Sequence, residues 1–265
     1  MYPDKLIPGL NVNLYGIMIA IGLLACFGVL FYYSKRKGND PRYTDFIFYD
    51  GVFSIAFGFF SAALFQAFYN YLENPEEGFI FGSGITFIGG LIGGVLSFLL
   101  VYFIFRKHTH GKLTDILGIA PCCILIAHAF GRLGCLFAGC CHGAYLGDEY
   151  VFGGIFMRPG NAISGYYVPI QLYEALFLFI VFGICSYLLL KKDFKHNLSL
   201  YLILYGIFRF VNEFFRTDSR GQFVGNLSPS QFWSIVMVIA GVGVYFLLEY
   251  IYKQRKLKEN EVKND

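Results

Sequence analysis

Apolar residues run in seven long blocks separated by short polar segments: Leu10 to Tyr33, Phe46 to Tyr69, Ile85 to Phe105, Leu113 to Leu136, Pro169 to Leu190, Leu198 to Phe215 and Pro229 to Tyr252. At about 1.5 Å of rise per residue, each is long enough to cross roughly 30 Å of hydrocarbon as a helix. Little sequence remains between the blocks. The pattern therefore predicts an all-α polytopic membrane protein of seven transmembrane helices, with residues 1–265 forming a single integral membrane domain. The leader before the first block lacks a basic start, and no small-residue cleavage site follows the block, so this helix is expected to be retained. Residues 137–168, between the fourth and fifth blocks, are long for a connection and rich in glycine, and are expected to form an outer cap.

Composition agrees with the pattern: 56% hydrophobic, 20% aromatic and 15% charged residues is too apolar for an ordinary soluble domain. The basic residues then orient it, because loops on the cytoplasmic side hold an excess of lysine and arginine. Of the 21 such residues, 15 follow the first, third, fifth and seventh blocks, from Lys35, Arg36, Lys37 and Arg42 to the run Lys253, Arg255, Lys256, Lys258 and Lys263. Lys5, Arg158, Arg216 and Arg220 fall on the other side, and Arg132 and Arg209 lie inside blocks. The N-terminus is expected outside, and the C-terminus inside with a basic tail at 253–265. These cations edge a membrane and form no stripe for nucleic acid, so that class is excluded.

Three charges mark the sixth block. Arg209, Glu213 and Arg216 stand at i, i+4 and i+7, on one helical face. Charges in hydrocarbon are costly and usually face a polar cavity or a functional site. Arg132 is a second intramembrane cation; it either snorkels or pairs with Glu174 or Glu213, or it binds an anion together with Arg209. Two guanidiniums in a partly dry cavity suit a phosphate, which their planar forks engage bidentately. By residue counting, Arg132, Cys135, Gln171, Glu174, Arg209 and Glu213 all fall in the outer halves of their helices.

Gly89-Gly90-Leu91-Ile92-Gly93-Gly94 carries small residues four apart, which serves helix packing or lines a lipid cleft. Cys135, Cys140, Cys141 and His142 cluster where the fourth block meets the long loop. A disulfide, a reactive thiolate and passive packing all fit them. Metal binding is not expected, since adjacent cysteines seldom share one ion without strain, and no cofactor is expected either. His142 is placed for proton transfer near the interface, whereas His128, one turn before Arg132, reads more as a packing residue.

The order of motifs resembles the prolipoprotein diacylglyceryl transferases. The motifs are Leu14-Tyr15-Gly16, Phe87-Ile88-Gly89-Gly90-Leu91-Ile92-Gly93, Gly131-Arg132-Leu133-Gly134, Pro169-Ile170-Gln171-Leu172-Tyr173-Glu174, Tyr205-Gly206-Ile207-Phe208-Arg209-Phe210 through Glu213-Phe214-Phe215-Arg216, and Leu227-Ser228-Pro229-Ser230-Gln231-Phe232-Trp233-Ser234-Ile235. The resemblance implies a multi-pass enzyme of the bacterial plasma (inner) membrane with its active face outside; a monomer is expected, since the sequence holds no coiled-coil heptad. Such an enzyme transfers diacylglyceryl from phosphatidylglycerol to the lipobox cysteine thiol of a prolipoprotein and releases glycerol phosphate. It implies Arg132, Arg209 and Glu213 as catalytic residues; Ile88 stands where the family has a histidine, and by position alone His142, or a thiolate of Cys135, Cys140 or Cys141, is the candidate substitute base. The substrate would be met by Tyr15, Gly89, Gly90, Cys135, Gln171, Glu174 and Arg216. Two alternatives are carried: a thiol–disulfide protein, or a transferase with another acceptor, using Cys135, Cys140 and Cys141; and a non-catalytic lipid-binding protein. A transporter is disfavoured, as no internal repeat is found.

Overall fold

A computed structural model describes residues 13–82, 84, 86–159, 163–216 and 227–264. Lys5 and Arg220, and the predicted starts of the first and third blocks at Leu10 and Ile85, lie outside these residues. The helices are α1 (Leu14–Lys37), α2 (Pro41–Glu73), α3 (Phe87–Phe105), α4 (Leu113–Leu117), α5 (Ala120–Ala138), α6 (Ile170–Lys192), α7 (Asn197–Asn212) and α8 (Pro229–Asn264). Six helical stretches are long and apolar enough to cross a membrane, and α3 supplies a shorter apolar seventh. The described chain is thus an all-α, multi-pass membrane protein.

Local chemistry sets most boundaries. Asp40 caps α2 by accepting from Arg42 N at 2.8 Å, with Pro41 in the first turn, where its missing N–H costs nothing. The fourth block is not one helix as predicted: it breaks after Leu117, and α5 restarts at Ala120-Pro121, since proline cannot donate within a continuing helix. At the other end of α5, Gly139 adopts a left-handed φ of 69° and closes the helix on the carbonyls of Cys135 and Leu136. The segment expected as a basic tail continues α8 to Asn264, its Lys, Glu, Gln and Arg residues being strong helix formers.

Residues 137–168 hold a structure the hydrophobic pattern did not predict, a three-stranded antiparallel sheet in the order β1 (Tyr145–Gly147), β3 (Gly165–Tyr167), β2 (Ile155–Met157). The strands are three residues each and aromatic-rich, too short to show an alternating period. Their buried face, Met157 and Tyr167, packs on Leu136 of α5, with Leu133 and Leu172 beside it.

Backbone contacts divide the chain into two units, one running to Tyr33 and resuming at Ile116, the other Ser34–Asp115. In the second, the glycine run of α3 packs against α2: a Cβ on Gly93 would sit 2.3 Å from Ser61 Cβ, one on Gly89 2.5 Å from Phe65 Cβ, and Gly90 lies over the Gly58 carbonyl. Ser61 donates to the Gly89 carbonyl at 2.9 Å. This is the close backbone approach that small residues permit in lipid. In the first unit, α5, α6, α7 and α8 pack in succession, and Gly206 of α7 lies against the Ser234 carbonyl and Val238 of α8.

Gly206→Val puts its Cβ 2.9 Å from the Ser234 carbonyl and 2.8 Å from Val238 Cγ2. It should destabilise by about 1–3 kcal/mol. Gly183→Ala, whose Cβ meets nothing within 4 Å, should be neutral or stabilising by up to about 1 kcal/mol. Thermal unfolding of the two variants in one detergent checks the contrast.

Candidate functional site

The first unit brings its intramembrane charges to one end of four helices. Arg132 lies near the end of α5, Gln171 and Glu174 near the start of α6, Arg209 near the end of α7, and Ser230 in the first turn of α8. Because these helices alternate in direction, the four positions share one end of the bundle. Glu174 is the hub and is 2% exposed. Its Oε1 lies 3.0 Å from Arg132 Nε, its Oε2 lies 3.9 Å from Arg209 Nη1, and the Tyr205 hydroxyl donates to Oε1 at 2.7 Å. His128 Nε2 stands 3.9 Å from the same carboxylate and 3.5 Å from the Tyr205 hydroxyl.

Arg209 is fixed from two further directions. Its Nη2 lies 3.1 Å from Glu213 Oε2, one turn along the chain, and donates to Ser230 Oγ at 3.0 Å. Glu213 is held in turn by the Ser228 hydroxyl at 3.0 Å. Ser228 and Gln231 form a reciprocal cap at the start of α8: Ser228 N donates to Gln231 Oε1 at 3.0 Å, and Gln231 N to Ser228 Oγ at 3.2 Å. One hydroxyl therefore ends a helix and orients an acid.

Two donors of this network are left over. Arg209 Nη1 is buried with no hydrogen-bond partner among the described residues, and Arg132 Nε is near Glu174 without an aligned hydrogen bond to it. Buried polar groups are nearly always satisfied. Paired guanidiniums with donors to spare are what a phosphate or other oxyanion requires.

Of the residues singled out from sequence, the structure joins Arg132, Glu174, Arg209 and Glu213. Gln171, 1% exposed, lies one turn before Glu174 and donates to the Cys140 carbonyl, tying the loop to α6. Tyr15 packs on Gly134, and its phenol interacts electrostatically with Arg132 and Cys135. Arg216 pairs by its backbone with Gly143, which ties the loop to the end of α7. His142 does not join the arginine cluster: its Nδ1 lies 3.0 Å from the Gly143 carbonyl, which can only accept, and its ring lies 4.2 Å from that of Tyr167. Gly89 and Gly90 belong to the second unit, where α2 fills the space over them.

Cys135, Cys140 and Cys141 are free thiols whose sulfurs lie within 4.8 Å of one another. Hydrogen bonds from Cys135 and Cys140, aided by the charges of Arg216 and Arg132, hold the Cys141 thiol well below the ordinary range. Hydrogen bonding with Cys135 and Cys141, together with burial, pushes Cys140 up.

Sequence reasoning passed over Tyr205, Ser228 and Ser230. Tyr205 stands four residues before Arg209, on its face of α7, and Ser228-Pro229-Ser230-Gln231 is a capping-box signature; both signals were present.

Fold and site define a multi-span helical membrane protein with two arginines and two carboxylates clustered at one end of its bundle. Residues 5–247 match the family model for prolipoprotein diacylglyceryl transferase. The chain is 32% identical over 242 residues to a phosphatidylglycerol–prolipoprotein diacylglyceryl transferase of Clostridium tetani, covering 89% of this chain and 93% of that one. It is 34% identical over 242 residues to the enzyme so named in Clostridium novyi, covering 88% and 90%. The corresponding figure for Dehalococcoides mccartyi is 31% over 259 residues, covering 96% and 94%. The chain belongs to the prolipoprotein diacylglyceryl transferase family.

Glu174→Gln keeps the shape of the hub and removes its charge, leaving Arg132 without its buried counterion. It should cost about 3–5 kcal/mol, whereas Tyr205→Phe should cost only about 1–2 kcal/mol. Equal unfolding midpoints for Glu174→Gln and the parent protein would show that the carboxylate is not the hub.

Proposed function

We propose that this chain transfers the diacylglyceryl group of phosphatidylglycerol to the thiol of a prolipoprotein lipobox cysteine, releasing glycerol phosphate, at the outer face of the bacterial plasma membrane. The observation that carries this reading is the pair of arginines, Arg209 buried and Arg132 partly buried, that Glu174 draws together at one end of the bundle. In this reaction the acceptor sulfur forms a bond to the terminal glycerol carbon of the diacylglyceryl group as that carbon's bond to a phosphate oxygen breaks. The electron pair leaves on the phosphate, whose charge grows from about −1 as a diester toward −2 as a monoester. Arg132 and Arg209 therefore hold the leaving group more tightly in the transition state than in the ground state, and only that difference accelerates the step. Glu213, Ser228 and Ser230 set the Arg209 fork before substrate arrives, so little reorganisation is needed.

Two further features support the reading. An apolar groove of about 280 Å³ between α7 and α8 is lined by Phe210, Val211, Ile235 and Ile239. It begins beside Arg209 in the chain and suits an acyl chain whose phosphate reaches the arginines. The loop between α5 and β1 carries His142, whose Nδ1–H is held by the Gly143 carbonyl; Nε2 is then the accepting nitrogen, and we assign it to take the acceptor thiol's proton. Tyr15 and Arg216 line the substrate's approach, and the buried Gln171 fixes the loop beside it. The basic ends of α1, α6 and α8 support the topology with the site outside.

Arg132→Ala and Arg209→Ala should each lower transfer to a lipobox peptide by about 10²–10³-fold. Lysine at either position should restore little, since a point charge does not replace a planar fork. Mass spectrometry of the peptide thioether reads the product, and full activity in either alanine variant sinks the phosphate role. His142→Ala should lower the rate by about 10²-fold or more; an unchanged rate removes His142 as the base and leaves the arginine assignment standing.

A further inference from the structure

Three thiols stand beside the anion site. Cys135 lies in the last turn of α5, and Cys140 and Cys141 follow the left-handed Gly139 that ends it. Adjacent cysteines in ordinary backbone point apart, the reason a shared metal was not expected from the sequence. Cys141, however, has φ 60°, in the left-handed region that non-glycine residues seldom enter. That turn brings the two neighbouring sulfurs to one place with Cys135, all three within 4.8 Å of one another.

Thiolates sharing a tetrahedral zinc at about 2.3 Å each are roughly 3.8 Å apart. The three sulfurs need to close by no more than about 1 Å, within the reach of side-chain rotation. Three protein ligands and one open position characterise catalytic zinc, in contrast to closed four-ligand structural sites. Among the described residues no fourth His, Cys, Asp or Glu joins the three sulfurs. His142, next in the chain, is turned instead to the Gly143 carbonyl and Tyr167. Cys140 is exposed, so the open position is reachable from outside the bundle. Three thiolates and a divalent ion carry a net charge of −1, and Arg132 and Arg216 are close enough to act on Cys141 electrostatically.

We propose that Cys135, Cys140 and Cys141 bind one zinc ion whose fourth position takes the thiol of the acceptor cysteine. The proposal rests on the transferase reading above and supplies what that reading needs, an ionised acceptor sulfur. On coordination the acceptor S–H loses its proton to solvent, as a metal-bound thiol does outright. The zinc-held sulfur gives an electron pair to the glycerol carbon, the carbon–oxygen bond to phosphate breaks, and its pair leaves on glycerol phosphate. The product thioether carries no charge, is a weak zinc ligand, and departs. No electron is gained or lost overall, so no oxidant is required.

The test uses the full-length protein in lipid nanodiscs, purified under reducing conditions and dialysed against zinc. Elemental analysis should find about one zinc per chain, and almost none in Cys140→Ser/Cys141→Ser, whose unfolding midpoint should match that of the metal-free parent. Cobalt(II) in place of zinc should show sulfur-to-metal charge-transfer absorption, and a lipobox peptide should shift its visible bands where the peptide with serine for cysteine does not. Transfer should fall at least tenfold in the double variant. Absence of zinc and cobalt from the parent protein overturns the proposal, and an intact mass two hydrogens lower identifies a disulfide in its place. Metal bound with no response to the peptide, or a double variant with full transfer, overturns the substrate-binding role and leaves the transferase reading intact. A metal that binds and responds to peptide, in a protein that transfers nothing from phosphatidylglycerol, overturns that reading and keeps the site.

Discussion

Burying two guanidiniums at one end of four helices depends on a carboxylate between them. An unpaired charge moved out of water costs several kcal/mol even after relaxation, and like charges brought together add to it. Glu174 touches both arginines and takes the Tyr205 hydroxyl as well, so the network ties α5, α6 and α7 through one residue. Glu213 adds a second negative charge on the far side of Arg209 and makes the four groups neutral in sum. Glu174 faces Arg132 Nε and Arg209 Nη1, while Glu213 faces Arg209 Nη2, so each carboxylate meets a different edge of the Arg209 fork.

The supporting shell explains why the donors stay where they are. Arg209 would be a long, flexible cation on a helix end, but α8 begins at the point where its hydroxyls can hold it. Ser230 accepts from Arg209, and Ser228 donates to Glu213 while capping the helix. The start of α8 and the geometry of the arginine are therefore one structural fact. Gly206 makes it possible by letting the two helices meet at backbone distance just below the site. A similar economy operates across the sheet, where Gln171 of α6 holds the Cys140 carbonyl and so sets the loop against the charged cluster.

What was legible in the sequence follows from which forces are local. The spans were legible because hydrocarbon demands about 20 apolar residues in a row, and the pairing of Arg209 with Glu213 because i and i+4 share a face. That Glu174 bridges two arginines was not, since Arg132 and Arg209 meet it through tertiary packing of three helices, and sequence distance carries no sign of it. The small sheet escaped because three-residue strands are too short for a period of two to register. The break before Pro121 was signalled by the proline and overridden by the unbroken apolar run. The convergence of the three cysteine sulfurs was not legible either, since it depends on the left-handed backbone of Cys141, which the sequence does not signal.

Charge balance decides how such a site can favour a lipid phosphate leaving over the same phosphate arriving. Two arginines offset by two carboxylates exert little net field on a distant anion, so binding of the diester rests on the unspent N–H groups and on burial of its acyl chains. In the proposed reaction the second charge appears on a phosphate oxygen, beside the two guanidiniums, as the bond to carbon breaks. In a low-dielectric surrounding that added charge interacts far more strongly than it would in water. A neutral cluster therefore does something a strongly cationic one would not: it avoids holding the ground-state lipid so tightly that the gain is spent before the reaction begins. The acceptor sulfur approaches from the opposite side of the breaking bond, where negative charge is consumed as the new bond forms. A site that holds that sulfur as a thiolate close to Arg132, without surrendering the arginine to it, needs another cation to share the thiolate's charge. The three clustered cysteines are the part of the structure suited to supply one.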